Sequence, residues 1–235
     1  MAKCKTIEEK EFYLRMAVKE KYAVRALERQ IDSCLYERTM LSKSSLPKNL
    51  KEIHEDSEIV FRDPYVLEFL QMPEHFNEQN LRKRIVANLK HFLLEIGRDF
   101  SFIAEEYRLQ VGNNDYFIDL LFYHRGLSCL VAFELKVTDF KPEYLGKINF
   151  YLEALDRLAK KANENPSVGI LLCKSKDAEV VEFALSRNLS PTLVAEYETK
   201  LIDKKILRNK LHELFQLDNP KEESENNEET DSRLP

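Results

Sequence analysis

The sequence predicts an α/β fold: a mixed sheet flanked by helices and preceded by N-terminal helices. Three observations carry this. Residues 100–136 alternate and turn as a three-stranded antiparallel meander would. The second and third of those strands are apolar at both parities, so both faces of the sheet need cover. After the meander, helical and strand-like segments alternate, which demands crossover connections and strands running in parallel.

The elements follow in order. Across 6–41, Phe12, Leu14, Met16, Val18, Tyr22, Val24, Leu27, Ile31, Leu35 and Tyr36 recur at mixed three- and four-residue steps, with charged residues between them. This predicts two helices or one bent helix. The polar stretch that follows, with Pro47, reads as a linker. Asp63-Pro64 then resembles an N-cap and first helical position, opening a short helix over PYVLEFL. A longer helix is expected over 78–96, with Leu81, Ile85, Leu89, Phe92 and Leu93 on one face and Gly97 as its stop. FSFIAEEYRLQV, DYFIDLLFYH and LSCLVAFELKV are the meander strands, joined by turns at 112–114 and 125–126. Beyond them come a helix over 142–161, the strand SVGILLC, the helix AEVVEFALSR, the strand TLVAEYE and a final helix, DKKILRNKLHELF.

Composition narrows the function classes. The chain is 43% hydrophobic and 33% charged, as a soluble globular protein is. No apolar run approaches the roughly 20 residues of a membrane helix, and the N-terminus lacks a secretory signal's apolar core. A cytoplasmic location is expected. The four cysteines, Cys4, Cys34, Cys129 and Cys173, are scattered, which argues against a zinc site and for buried free thiols. Formal net charge is −5, and Asp218 to Pro235 alone accounts for it. The body is thus neutral and can still present a basic face to nucleic acid. The histidines form no metal-binding pair, the five glycines no phosphate loop, and no G-x-S-x-G elbow occurs.

One constellation remains. Asp119 lies mid-strand, and Glu134 and Lys136 share one face of the next strand. A turn near residue 126 sets 119 and 134 almost opposite one another, with side chains roughly 5 Å apart. Burying such charges costs several kcal/mol unless a partner offsets it, and two facing carboxylates repel unless a cation bridges them. Mg2+ suits two carboxylates, with the Leu135 backbone carbonyl as a further ligand and substrate phosphate completing the shell. Lys136 could then orient or deprotonate water, or stabilise the phosphate. On the residues alone, a second reading stays open: Glu134 and Lys136 as an ordinary ion pair on a half-exposed strand, with Asp119 capping a turn.

The arrangement resembles the PD-(D/E)XK nuclease superfamily, more narrowly its YhcG type, bacterial proteins of restriction and defence neighbourhoods. The matching stretches are DPYVLEFL (63–70), NLKHFLLEIG (88–97), YFIDLLFYHRGLSCLVAFELK (116–136), FKPEYLGKINFYLEALDR (140–157), NPSVGILLCKSKD (165–177) and LSPTLVAEY (189–197). The resemblance implies a restriction-endonuclease-like α-β-β-β-α-β core and a metal-dependent endonuclease hydrolysing DNA phosphodiester bonds with Mg2+ or Mn2+, in bacterial DNA defence or repair. By position, Asp119 and Glu134 match the metal-binding acids and Lys136 the catalytic lysine, with Ile118 where the superfamily name has proline. Glu95 matches an acid that some branches use as a further metal ligand. Lys147 and Tyr151 resemble a Gln-x-x-x-Tyr element near substrate, with Lys in place of Gln, and their spacing puts them on one helix face. Where many relatives carry Arg-Gln, this chain has Glu105-Glu106, which removes a positive charge and could supply an extra carboxylate.

The resulting domain plan is a helical remnant of an N-terminal domain over 1–45, a linker over 46–62, a nuclease-like domain over 63–217 and an acidic disordered tail over 218–235. Only LERQIDSCLYER recognisably matches the family's N-terminal helical domain. An apolar helix face without its usual cover implies a homo-oligomer. DNA is the expected partner, with RNA left open and no membrane. The competing function is a catalytically weak or inactive nucleic-acid-binding or assembly module of the same fold, motivated by Glu105-Glu106 and the short N-terminal region.

Overall fold

The computed structural model describes residues 4–42, 52 and 60–218. A six-stranded mixed sheet forms its centre, in the order β1-β6-β5-β4-β3-β2. The strands are β1 (Tyr65–Val66), β2 (Phe100–Val111), β3 (Asn114–His124), β4 (Cys129–Leu135), β5 (Val168–Cys173) and β6 (Thr192–Glu198). The antiparallel meander is β2-β3-β4, and β4, β5, β6 and β1 run parallel. A two-residue turn joins β2 to β3, with Gly112 at φ 60 in the first central position, where a side chain would be strained.

Helices cover both faces, as the two-sided apolar strands require. On one face α4 (Glu78–Ala87) and α5 (Leu89–Ile96) bury Leu81, Ile85, Phe92 and Ile96 against Phe122, Val131, Phe133 and Ile170. On the other, α6 (Tyr144–Leu158) and α7 (Ala178–Leu185) bury Ile148, Leu152, Leu155 and Val181 against Ile118, Ala132, Leu171 and Val194. β4 and β5 are buried along their whole length. At Gly169 of β5 an added Cβ would lie 2.8 Å from Ile148 Cγ1, so the absent side chain lets α6 sit close to the sheet. Ile148 neighbours Lys147, whose ammonium reaches Glu134 on β4. Cys129 and Cys173 are buried free thiols.

Three departures from the sequence reading have physical causes. The expected 78–96 helix is two: Asn88 ends α4, its side-chain amide donating to the Arg84 carbonyl, and α5 starts at the next residue. The expected PYVLEFL helix is the edge strand β1, paired with Tyr197 and Glu198, followed by a 3-10 turn over Glu68–Leu70. Asp63 is no N-cap. Its carboxylate accepts from the Glu196 N–H at 2.9 Å and pairs with Lys176, tying the segment to β6. The N-terminal stretch holds three helices, α1 (Ile7–Glu20), α2 (Val24–Asp32) and α3 (Leu35–Ser42). Lys21 and Cys34 adopt left-handed backbone at their junctions, a task for which the sequence offers no glycine signal.

These helices are not loose. Tyr13, Met16, Ile31 and Leu35 form their own core, and the C-terminal helix α8 (Lys204–Asp218) pins them through Lys204 and Arg208 to the buried Glu9 and Glu37. Much of the apolar face expected to lack cover is therefore covered. Ile7, Leu14 and Val18 remain as an exposed stripe on α1. The linker at 46–62 lies outside the described residues except at 52 and 60–62, and so does the tail beyond 218. No helix among the described residues is long and apolar enough to cross a membrane.

Candidate active site

The β3–β4 ladder runs from His124↔Cys129 to Leu120↔Phe133. One step further, the same register sets Asp119 opposite Glu134, as the turn position predicts. There the backbone ladder stops and the Asp119 carboxylate takes its place, Oδ2 accepting from the Leu135 N–H at 2.9 Å. A strand residue's N–H and C=O point to the same side, so the Leu135 carbonyl faces this opening too. The Lys136 N–H points the other way and donates to the Leu172 carbonyl.

Glu134 projects toward α6. Its Oε1 accepts from Lys136 Nζ at 2.9 Å and Lys147 Nζ at 2.6 Å. Its Oε2 is buried with no hydrogen-bond partner. Lys136 also lies 3.4 Å from Glu78 and 5.2 Å from the centre of the Tyr144 ring. Burial works to lower the Lys136 pKa, but Glu134 and Glu78 outweigh it and hold the ammonium above its ordinary value. Lys147 follows the same balance, burial against Glu134, and is also raised. Tyr151 is buried beneath Lys147, which sits 5.4 Å from its ring centre. Burial raises the Tyr151 pKa; Lys147 opposes this, while both Glu134 and Asp119 add to it. Glu134, Lys136, Lys147 and Tyr151 thus cluster on the α6 side of β4, and Asp119 meets the same strand one residue on, at the Leu135 N–H.

Glu95 does not join them. It is fully buried at the end of α5, with Oε1 accepting from Arg38 at 2.6 Å and the Val66 N–H at 2.9 Å, and Oε2 from Arg29 at 2.8 Å. Arg62 donates to its backbone carbonyl. Burial alone would raise this acid, yet Arg38, Arg29 and Arg62 hold it down to about 2. The geometry corrects the expected ligand role: both oxygens serve to fasten α2, α3 and β1 to α5.

Two participants escaped the sequence. Arg82, largely buried on α4, donates to Asp119 Oδ1 at 3.2 Å and pairs with Glu106 at 2.8 Å and Glu105 at 3.9 Å. Glu78, in the first turn of α4, supports Lys136. The available signal was weak: Arg82 borders the Leu81–Ile85 apolar face, but only the packed fold shows which charge it meets. Among the described residues no group of three or more His, Cys, Asp or Glu is placed to hold a metal ion.

The six-stranded α/β core carries an acid pair and a lysine where its meander opens. Residues 58–212 match the family model described as the YhcG PDDEXK nuclease domain, and the chain belongs to that family. It is 36% identical over 211 residues to "Putative nuclease YhcG" of Escherichia coli (strain K12), a match covering 88% of this chain and 56% of that protein. The chain thus spans little more than half the length of this curated relative. Among solved structures it is similar to a repair endonuclease from Pyrococcus abyssi, at 15% identity and TM-score 0.35 over 55% of this chain and 49% of that one. It is also similar to EndoMS in an EndoMS–dsDNA complex, at 16% identity and TM-score 0.36 over 54% and 45%. Overlap that partial adds nothing to the reading of the site.

Proposed function

We propose that this domain is a divalent-metal-dependent endonuclease that hydrolyses phosphodiester bonds in DNA, serving bacterial DNA defence or repair. The observation that carries the reading is Asp119 at the opening of β3 and β4, beside a Glu134 whose buried Oε2 has no partner. A buried anionic oxygen with an open lone pair is costly and invites a cation. Asp119, Glu134 and the Leu135 carbonyl are hard oxygen donors and fit Mg2+ or Mn2+, which commonly take one or two carboxylates and leave the remaining positions to water and phosphate. That ion would lower the pKa of an attacking water and offset charge on the phosphate. Lys136, held protonated between Glu134 and Glu78, would orient the water and stabilise the phosphate by its charge. Lys147, half exposed on α6, would contact substrate, with Tyr151 buried beneath it as its support.

Nicking of supercoiled plasmid DNA with Mg2+ or Mn2+ tests this. Asp119→Asn and Lys136→Ala should each slow nicking at least about a hundredfold, the scale reached when even outer partners of metal ligands are removed. Undiminished nicking in both variants would refute the assignment. The alternative, a binding or assembly module without turnover, has one observation in its favour: protein cations already sit on both acids, Arg82 on Asp119 and two lysines on Glu134. It predicts salt-dependent DNA binding and intact substrate at every metal concentration.

Self-association belongs to the same proposal. Ile7, Leu14 and Val18 line one side of α1, with Glu8 and Glu11 toward its start and Arg15 and Lys19 toward its end. A second copy packed antiparallel would set opposite charges together. Leu14→Glu with Val18→Glu should convert a sedimenting dimer to monomer; an unchanged sedimentation coefficient would remove α1 as the interface.

A further inference from the structure

Arg82 reaches the site from α4 and touches three acids. Its two terminal nitrogens hold different carboxylates: one meets Glu106 at 2.8 Å, the other Asp119 Oδ1 at a longer 3.2 Å. Its Nε has no hydrogen-bond partner and lies 3.9 Å from Glu105. The guanidinium is therefore unevenly held. Its ion pair with Glu106 is the shorter contact, its hydrogen bond to Asp119 the longer one, and Nε faces Glu105.

The strand geometry suits this division. The β2–β3 ladder passes from Glu105↔Leu120 to Tyr107↔Ile118, leaving Glu106 and Asp119 across from each other outside the pairing. Glu106 takes left-handed backbone at φ 46, a conformation that a side-chain-bearing residue keeps only when its surroundings impose it. Asp119 is fixed through Oδ2 on the Leu135 N–H, so its orientation does not depend on Arg82. Oδ1 is the oxygen that a metal could take without unseating the carboxylate.

We propose that Arg82 is a resident counter-cation for Asp119, which neutralises the acid until a divalent ion arrives and then yields Oδ1 while staying docked on Glu106 and Glu105. This gives the unusual Glu105-Glu106 pair a role: the acids receive the displaced guanidinium and need not be metal ligands. Arg82 is then a positioning residue that sets metal affinity. The inference rests on the proposed metal site at Asp119.

The test is Mn2+ binding to the full chain without nucleic acid, followed by calorimetry, with a thermal melt of each variant. Arg82→Gln removes the competitor and should tighten Mn2+ binding about tenfold, as loss of one well-placed charge partner does. Glu106→Gln should weaken binding several-fold in the wild-type background, because Arg82 then commits to Asp119. The same change made on Arg82→Gln should have little effect. Unchanged or weaker binding in Arg82→Gln would overturn the proposal. Equal weakening by Glu106→Gln in both backgrounds would overturn it too, making Glu106 a ligand. If Arg82→Gln fails to fold, Arg82→Met, which also removes the charge and keeps an apolar stem, should tighten binding in the same direction. Binding abolished by Asp119→Asn, yet indifferent to Arg82, would sink this inference alone. A wild-type chain that binds no Mn2+ would sink the metal site with it.

Discussion

Two buried glutamates, Glu95 at 0% exposure and Glu134 at 1%, show how similar burial serves different ends. Glu95 is met by one terminal nitrogen each from Arg29 and Arg38 and by a backbone N–H, so both oxygens are engaged. Glu134 is met by two lysines on a single oxygen, and the other oxygen is left open. Arg29 and Arg38 are held in place by their remaining donors, on Glu68 and Ser33, whereas a lysine is a mobile point charge that can be drawn off. The difference teaches that burial and charge partners do not by themselves mark a site. Nor does an open oxygen alone, since Glu37 also has a buried oxygen without a partner; at Glu134 it counts because Asp119 stands opposite on the neighbouring strand.

The comparison can be broken by stability first. Glu95→Gln leaves Arg29 and Arg38 facing a neutral group in the interior and should destabilise the fold by about 3 to 5 kcal/mol. Glu134→Gln should cost about 1 kcal/mol or less, because Lys147 is half exposed and Lys136 keeps Glu78. Urea melts of both variants measure this, and equal losses would erase the distinction.

Acid sharpens it next. The Glu95 pKa is depressed from the ordinary 4.5 to about 2, so the charged form stabilises the fold. That contribution is fully present above about pH 4.5 and is lost as pH falls through 2. It amounts to about 3 kcal/mol at most. Wild type should lose stability across this window faster than Glu95→Gln, whose curve lacks this component. Parallel curves would show that Glu95 is not the acid-sensitive fastener.

Metal gives a further contrast. At a hundredfold excess over its Kd, a ligand that binds only the folded state adds about 2.7 kcal/mol. Mn2+ should therefore raise the melting temperature of wild type and of Glu95→Gln, but not of Asp119→Asn or Glu134→Gln. A rise that depends on Glu95 would restore it as a ligand.

The residues show why some of this was legible in the sequence and some was not. β3 and β4 were readable because burial on both sides forces apolar residues at both parities, and the short turn after His124 fixes the 119–134 register. The α4–α5 break was not, because Asn88 is unremarkable until its amide finds the Arg84 carbonyl. Asp63-Pro64 carries the chemistry of a helix start, and only β6, more than a hundred residues away, makes it an edge strand. Glu95 misled for a related reason. Its position in the chain fits a ligand, but its charge is claimed by arginines from the N-terminal helices. Arg82 and Asp119 likewise meet only through packing of α4 on the sheet. Local pattern encodes elements and register; the partner of each buried charge is settled by tertiary contacts.

In the proposed site Asp119 and Glu134 share one divalent ion. A crystal soaked in Mn2+ and measured for anomalous scattering tests it most directly. A peak is expected between the two carboxylates and near the Leu135 carbonyl, with Arg82 moved off Asp119. A fully soaked crystal with no peak there, and Arg82 still on Asp119, would contradict it.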